Sequence, residues 1–212
     1  MPAIATHSGF FAALRMTIHA PLMKIFLQSL RLLAGLTLLT GALYPIAVWA
    51  AGQLFFHDAA DGSLLTRRDV LVGSALLAQK TTDPRYFSPR PSAGDYATVA
   101  SGASNLAWTS SKLRDTVAAN EKQFREQNRV PANTILPADA FTTSGSGLDP
   151  DLTLATVKLQ ANRVATARGL TREQQDALDG LIARHTEGGQ FSEARINILR
   201  LNLALDETFP PK

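Results

Sequence analysis

From Leu32 to Phe56 the chain carries no charged side chain: LLAGLTLLTGALYPIAVWAAGQLFF, 25 residues in all. As an α-helix that run is about 37 Å long, at about 1.5 Å per residue. The hydrocarbon core of a bilayer is about 30 Å thick, so the run spans it with some tilt. Tyr44 and Pro45 fall inside it, and proline is tolerated in membrane helices. Trp49, Phe55 and Phe56 sit toward the far end, where aromatic rings favour the interface. Lys24 and Arg31 precede the run. Asp58 and Asp61 follow it, with Arg67 and Arg68 a little beyond. The positive near flank places the N-terminus in the cytoplasm and the rest of the chain outside it.

Two other readings compete with an anchor. A buried core helix is rarely uncharged over such a length. A cleaved signal peptide would use Val48-Trp49-Ala50, with cleavage after Ala50. Its apolar core would then be the 19 residues Leu32–Ala50, longer than the usual run of about 7–15. A retained anchor over residues 23–57 is therefore expected. Met23-Lys24 also fits a start of translation. Residues 1–22 are then an N-terminal extension, untranslated or disordered. A linker over 58–66 and a domain over 67–212 complete the expected division.

The charge balance supports a membrane reading over a nucleic-acid one. The net charge is +3 and the pI about 9.4. Yet Arg15, Lys24 and Arg31 are the charges of residues 1–31. The other 18 basic residues balance all 18 acidic ones. A basic face for DNA or RNA needs Lys and Arg clustered across the domain. With no cysteine, disulfides, thiolate metal sites and cysteine nucleophiles are excluded.

Beyond the span, Arg68–Gln79 reads as a short buried element, helical, with Val70, Leu71, Leu76 and Leu77. Thr81–Gly94 is a loop, because Pro84, Pro89 and Pro91 favour extended backbone. Ser101–Thr109 is a second loop. A helix starts at Ser111, with Leu113, Val117 and Phe124 on one face. Asn133–Leu136 reads as a strand. Asp149 and Pro150 suit the cap and first turn of a helix with Ala155, Val157, Ala161 and Val164 inward and Gly169 at its end. Thr171 and Gln174 fit a capping box for the next helix, with Leu178, Leu181 and Ile182 inward and Gly188-Gly189 ending it. Arg195–Asp206 shifts phase after Ile198, as a bulged strand or a strand running into a helical turn. The expected fold class is α+β: one N-terminal transmembrane helix followed by a small mixed α+β extracytoplasmic domain.

Catalytic signals are sparse. The phosphate loop G-x-x-x-x-G-K-[ST] is missing. Ser144-Gly-Ser-Gly147 departs from the nucleophile elbow G-x-S-x-G, and His185 is the one histidine that follows it. The pair Asp149 and Asp151 resembles a two-carboxylate site, but its place at a helix start favours capping. The Ser101–Asn105 stretch offers backbone amides to an anion, although a plain loop fits it better. A membrane-tethered periplasmic hydrolase is the alternative that these residues leave open. A binding domain released by cleavage after Ala50 is a third.

Several motifs occur in a telling order. They are Tyr86-Phe-Ser-Pro-Arg-Pro-Ser92, Ser101-Gly-Ala-Ser-Asn-Leu106 and Thr143-Ser-Gly-Ser-Gly-Leu-Asp-Pro150. Gln160, Arg163-Val164-Ala165, Arg168-Gly169, Asn197-Ile-Leu and Leu201-Asn-Leu-Ala-Leu-Asp206 follow. With one N-terminal span, residues 23–206 resemble KdpC, the small single-span subunit of the bacterial potassium-transporting (Kdp) P-type ATPase. Each motif alone is weak, and their order and spacing are specific.

The resemblance implies a non-catalytic accessory subunit of an ATP-driven, high-affinity potassium importer in the bacterial inner membrane. Its partners would be a channel-like potassium-binding subunit, the P-type ATPase subunit proper and a small membrane subunit. The family is described as a catalytic chaperone that raises the ATP affinity of the P-type ATPase subunit through a ternary complex. Neither a D-K-T-G-T phosphorylation motif nor a T-V-G-Y-G filter is present. The candidate nucleotide loop is Ser101, Gly102, Ser104 and Asn105. Ala103 stands where the family pattern usually has a second glycine, and its Cβ narrows the backbone choices. An Asn-Pro pair usual near Ser110-Ser111 is also missing. A domain outside the cytosol does not reach cytosolic ATP, so coupling through the channel-like partner or the span is easier. Gly35 and Gly41 are candidates for close helix approach. Arg90, Asn105, Asp149 and Asn202 are candidates for a polar framework or a partner surface.

Overall fold

The computed structural model describes the backbone of residues 7–210 and the side chains of residues 22–210. Helix α1, His7–Leu38, begins within the stretch expected as an extension; residues 1–6 lie outside the described residues. A π-helical turn, Leu39–Leu43, joins α1 to α2, Tyr44–Phe55. The apolar stretch Leu22–Phe55, 34 residues long, is nowhere buried. Pro45 explains the π turn. It lacks an amide, and its ring would strike the carbonyl four residues back in a regular helix. Widening the preceding turn relieves the clash, and the Tyr44 amide bonds the Leu39 carbonyl, five back. A short helix α3, His57–Ala60, follows, where Gln53 links His57 and Asp61 at 2.9 Å each.

The chain divides into two compact units between Asp61 and Gly62. The second unit opens with an antiparallel hairpin, β1 Leu64–Arg67 and β2 Val70–Ser74. This corrects the buried helical element expected over Arg68–Gln79. Val70, Leu71 and Leu76 are exposed, and Ala75 and Ala78 are the buried residues of the stretch. Arg68 and Asp69 make the turn at φ +49° and +64°. Both lie in the left-handed region that two-residue hairpin turns require.

After a long loop comes α4, Ser111–Asn128, as expected, with Phe124 buried. Asn133–Leu136 is not a strand: Ile135 is 93% exposed, and the residues run between a turn and a 3-10 turn at Ala138–Ala140. The remaining elements are β3 Asp151–Thr153, α5 Leu154–Arg168, α6 Arg172–Arg184, β4 Thr186–Glu187, β5 Arg195–Asn197 and α7 Ile198–Thr208. The strands form one antiparallel sheet in the order β3-β5-β4, with Ile196 opposite both Leu152 and Thr186. The helices bury Val157, Val164, Leu178, Ile182, Leu201 and Leu205 around Ile196 and Phe87.

Three expected boundaries move. Helix α5 starts at Leu154, not at Asp149-Pro150. Thr153 caps it by accepting from the Thr156 amide, and Ala155 faces solvent. Residues 149–153 instead lead into and form β3, whose pairing with β5 outweighs the local helix-start signal. Helix α6 ends at Arg184, and Gly188-Gly189 turn the chain between β4 and β5 at φ +80° and +96°. Of the two readings of Arg195–Asp206, the strand running into a helix holds, with Asn197 as the cap. The capping box at Thr171 and Gln174 forms as expected. The unit is a small mixed α+β domain.

Candidate functional site

The segment Tyr86–Ser92 has prolines at 89 and 91, so its backbone cannot complete a regular ladder. Its polar groups need other partners. Asn202 on α7 supplies two: its Oδ1 accepts from the Phe87 amide and its Nδ2 donates to the Phe87 carbonyl, both at 2.9 Å. Gln160 on α5 does the same one residue on. It accepts from the Ser88 amide at 2.8 Å and donates to the Ser88 carbonyl at 3.0 Å. Two buried side-chain amides thus clamp two consecutive residues, while the Phe87 ring fills the core.

Arginines extend the clamp. Arg163 Nη1 donates to the Pro84 and Tyr86 carbonyls at 2.6 and 2.9 Å, and Nη2 to Gln160 at 2.8 Å. Burial pulls its pKa below the usual guanidinium value, against the charge of Asp83. Arg168 donates to the Arg85 carbonyl at 2.8 Å and to Asp206 at 2.7 Å, with its guanidinium 4.8 Å from the Tyr86 ring centre. The Asp206 carboxylate also accepts from Tyr86 at 3.0 Å and from Arg67.

Arg90 points the other way. It pairs with Asp149 at 3.0 Å and reaches the carbonyls of Thr142 and Thr143 at 3.4 Å. Its own carbonyl accepts from the Tyr96 hydroxyl at 2.8 Å, and burial pushes that hydroxyl's pKa up to about 12. Asp149 therefore ties Arg90 down and accepts from the Asp151 amide at 3.1 Å, rather than capping a helix. Asp151 is pushed above the usual carboxylate range by burial, then by the charge of Asp149.

The Ser101 loop rests on the glycine-rich turn. Ser101 Oγ and the Gly102 amide both donate to the Ser146 carbonyl, at 2.9 and 2.8 Å. Gly147, at φ +69°, permits the approach: a Cβ there would sit 3.0 Å from the Gly102 carbonyl. Asn105 is exposed at φ +53°. Gly35 and Gly41 lie on α1 and in the π turn with open space around them.

The structure thus joins Arg90 to Asp149 and sets Asn202 in a separate clamp. Gln160, Arg163, Arg168 and Asp206 complete that clamp, although the expected site residues did not include them. Their signal lies in the helix pattern. Gln160 falls among Val157 and Val164, and Asn202 and Asp206 among Leu201 and Leu205. A polar residue that interrupts an apolar face marks a buried hydrogen bond. Buried Asp139, which accepts from Thr153 and Thr156, gave no such signal.

These contacts order loops; they do not assemble a reaction centre. Ser144 and Ser146 line one cleft and His185 another, with His185 Nδ1 held 3.0 Å from the Leu181 carbonyl. The hydrolase reading gains nothing from this placement. The candidate nucleotide loop lines a cleft of about 490 Å³, together with Lys112. Its Ser101 hydroxyl and Gly102 amide are committed to Ser146, and Ala103 carries a Cβ. That donor set does not fit a triphosphate, which needs several free amides and cations.

A single apolar helix joined to a small domain of locked loops defines a membrane-tethered docking subunit. The comparisons make the class specific. The family described as "K+-transporting ATPase, c chain" matches residues 26–207. The potassium-transporting ATPase KdpC subunit of Mycobacterium tuberculosis (strain ATCC 25618 / H37Rv) is 47% identical over 185 residues, 85% of this chain and 96% of the relative. Its namesake in Rhodospirillum rubrum is 46% identical over 192 residues, 89% and 98% of the two chains. That of Myxococcus xanthus is 45% identical over 190 residues, 88% and 89%. The chain belongs to the KdpC family of potassium-transporting ATPase subunits.

Proposed function

We propose that this chain is the accessory, non-phosphorylated subunit of an ATP-driven potassium importer in the bacterial inner membrane. The observation that carries the reading is the family match over residues 26–207, which takes in both the apolar helix and the domain. The span anchors the chain with its N-terminus in the cytoplasm. The domain lies on the periplasmic side and docks on the channel-like, potassium-binding partner. The P-type ATPase itself, together with a small membrane subunit, completes the assembly. An effect on ATP affinity travels through these partners and not through direct contact, since the loop at Ser101–Asn105 has its best donors engaged.

Co-expression of the tagged full chain with the other three subunits tests this. Purification in mild detergent should bring down the two larger subunits with an ATPase activity stimulated by potassium. Deleting this chain should abolish both the co-purification and growth at limiting potassium. A chain that purifies alone and turns over small esters or peptides would overturn the reading.

A further inference from the structure

In a regular α-helix the Tyr44 amide would donate to the carbonyl of Thr40, four residues back. Here it donates to Leu39. The next amide in line for Thr40 belongs to position 45, which is proline and has none. The Thr40 carbonyl is thereby left without a donor in the helical ladder. The Thr40 hydroxyl does not relieve it, since that group donates backward to Leu36 at 2.7 Å. Thr40 lies four residues from Tyr44, the midpoint of the uncharged run Leu32–Phe56. That is about 6 Å along the axis, well inside hydrocarbon. An unpaired carbonyl there has no water to turn to and is costly.

The neighbouring residue is Gly41. A Cβ at this position would meet only Thr37 Cγ2, at 3.9 Å. This chain's own packing therefore does not require a glycine, and glycine is a poorer helix former than alanine. What the missing side chain does is leave the Thr40 carbonyl open to approach from outside.

We infer that the π turn Leu39–Leu43 is a docking point for a transmembrane helix of a partner subunit. That helix places a side-chain N–H or O–H donor against the Thr40 carbonyl, over the bare face of Gly41. A lipid tail offers no donor and leaves the carbonyl unmet. The inference rests on the chain's proposed place in a membrane assembly, and it names the spot and the chemistry of that contact.

Thr40-Gly41 is the only Thr-Gly pair in the sequence. Labelling threonine carbonyls with ¹³C and glycine nitrogens with ¹⁵N therefore selects the Thr40 carbonyl by NMR. The full chain is compared alone in lipid nanodiscs and in the purified complex. Assembly should move the Thr40 resonance downfield, as a new hydrogen bond does. Gly41→Leu should cancel the shift and weaken co-purification about threefold to twentyfold, the range of interhelical hydrogen bonds in membranes. Pro45→Ala returns an amide to the ladder without adding bulk and should act likewise. Val48→Leu on the same span should change neither readout.

A complex that forms with the Thr40 carbonyl unshifted overturns the inference alone. So does a shift already present in the isolated chain and sensitive to heavy water, which makes water the donor. Failure of the unmodified chain to co-purify with any partner overturns the assembly itself, and this inference with it.

Discussion

At the residue scale, the strongest constraints are buried polar groups that hold backbone. Asn202 and Gln160 each satisfy one amide and one carbonyl of the Phe87-Ser88 segment. Asn202→Leu keeps the volume and strands both groups of Phe87 in a dry core. Urea unfolding of the full chain in detergent should show a loss of about 2–4 kcal/mol, because an unmet buried donor costs about 1–3 kcal/mol. Gln160→Leu should cost a similar amount. A loss under half of the expected size would mean that water replaces the clamp. Asp151 carries a prediction of the opposite sign. Its carboxyl is raised above the ordinary value, so the folded chain holds this proton more tightly than the unfolded chain does. The group therefore supports folding below the ordinary carboxylate range and opposes it once pH rises past its folded value. Asp151→Asn should be the more stable protein at neutral pH. Paired urea melts should show the gap closing toward about pH 4, where the unmodified side chain is protonated. A gap that widens on acidification would reverse the sign assigned to the group.

At the element scale, the β1–β2 hairpin is held by an unfavourable turn. Arg68 and Asp69 both adopt left-handed backbone, which costs a residue with a Cβ about 1–2 kcal/mol relative to glycine. The double change Arg68→Asn and Asp69→Gly supplies the residues that such turns prefer. It should raise stability by about 1 kcal/mol, read as a higher urea midpoint with an unchanged slope. A destabilised double variant would show that the two side chains contribute more than their backbone strain costs. This turn also explains why the hairpin was hard to read. With no glycine or asparagine at the bend, Val70, Leu71, Leu76 and Leu77 looked like one face of a helix. Elements carried by local chemistry were legible: the capping box at Thr171 and Gln174, the α4 stripe ending at Phe124, and the phase shift after Ile198. Elements decided by distant pairing were not. Asp149-Pro150 is a good helix start in isolation, yet β5 claims Asp151–Thr153 as a strand and pushes the helix start to Leu154. The candidate site divides the same way. The Arg90–Asp149 pair joins two motifs singled out for their residues. The second amide clamp needed α5 and α7 to be seen side by side.

At the scale of the whole molecule, the charges outside the domain bear on orientation. Lys24 and Arg31 flank the near end of the uncharged run, and Asp58 and Asp61 the far end. Arg67 and Arg68 also follow within reach of the far interface, so the bias rests on more than a count. Arg67 is engaged with the buried carboxylate of Asp206, and a domain of this length crosses the membrane largely regardless of its charges. The nearest free cations to the start of the span then dominate, and they keep the N-terminus inside. A tag placed after Lys212 should be removed by external protease in spheroplasts. Removal leaves the domain no access to cytosolic nucleotide, so influence on ATP use must pass through partner helices, with the span as its path. Protection of the tag until lysis would invert the chain. The domain would then face the nucleotide, and the Ser101–Asn105 loop would have to release Ser146 to meet it.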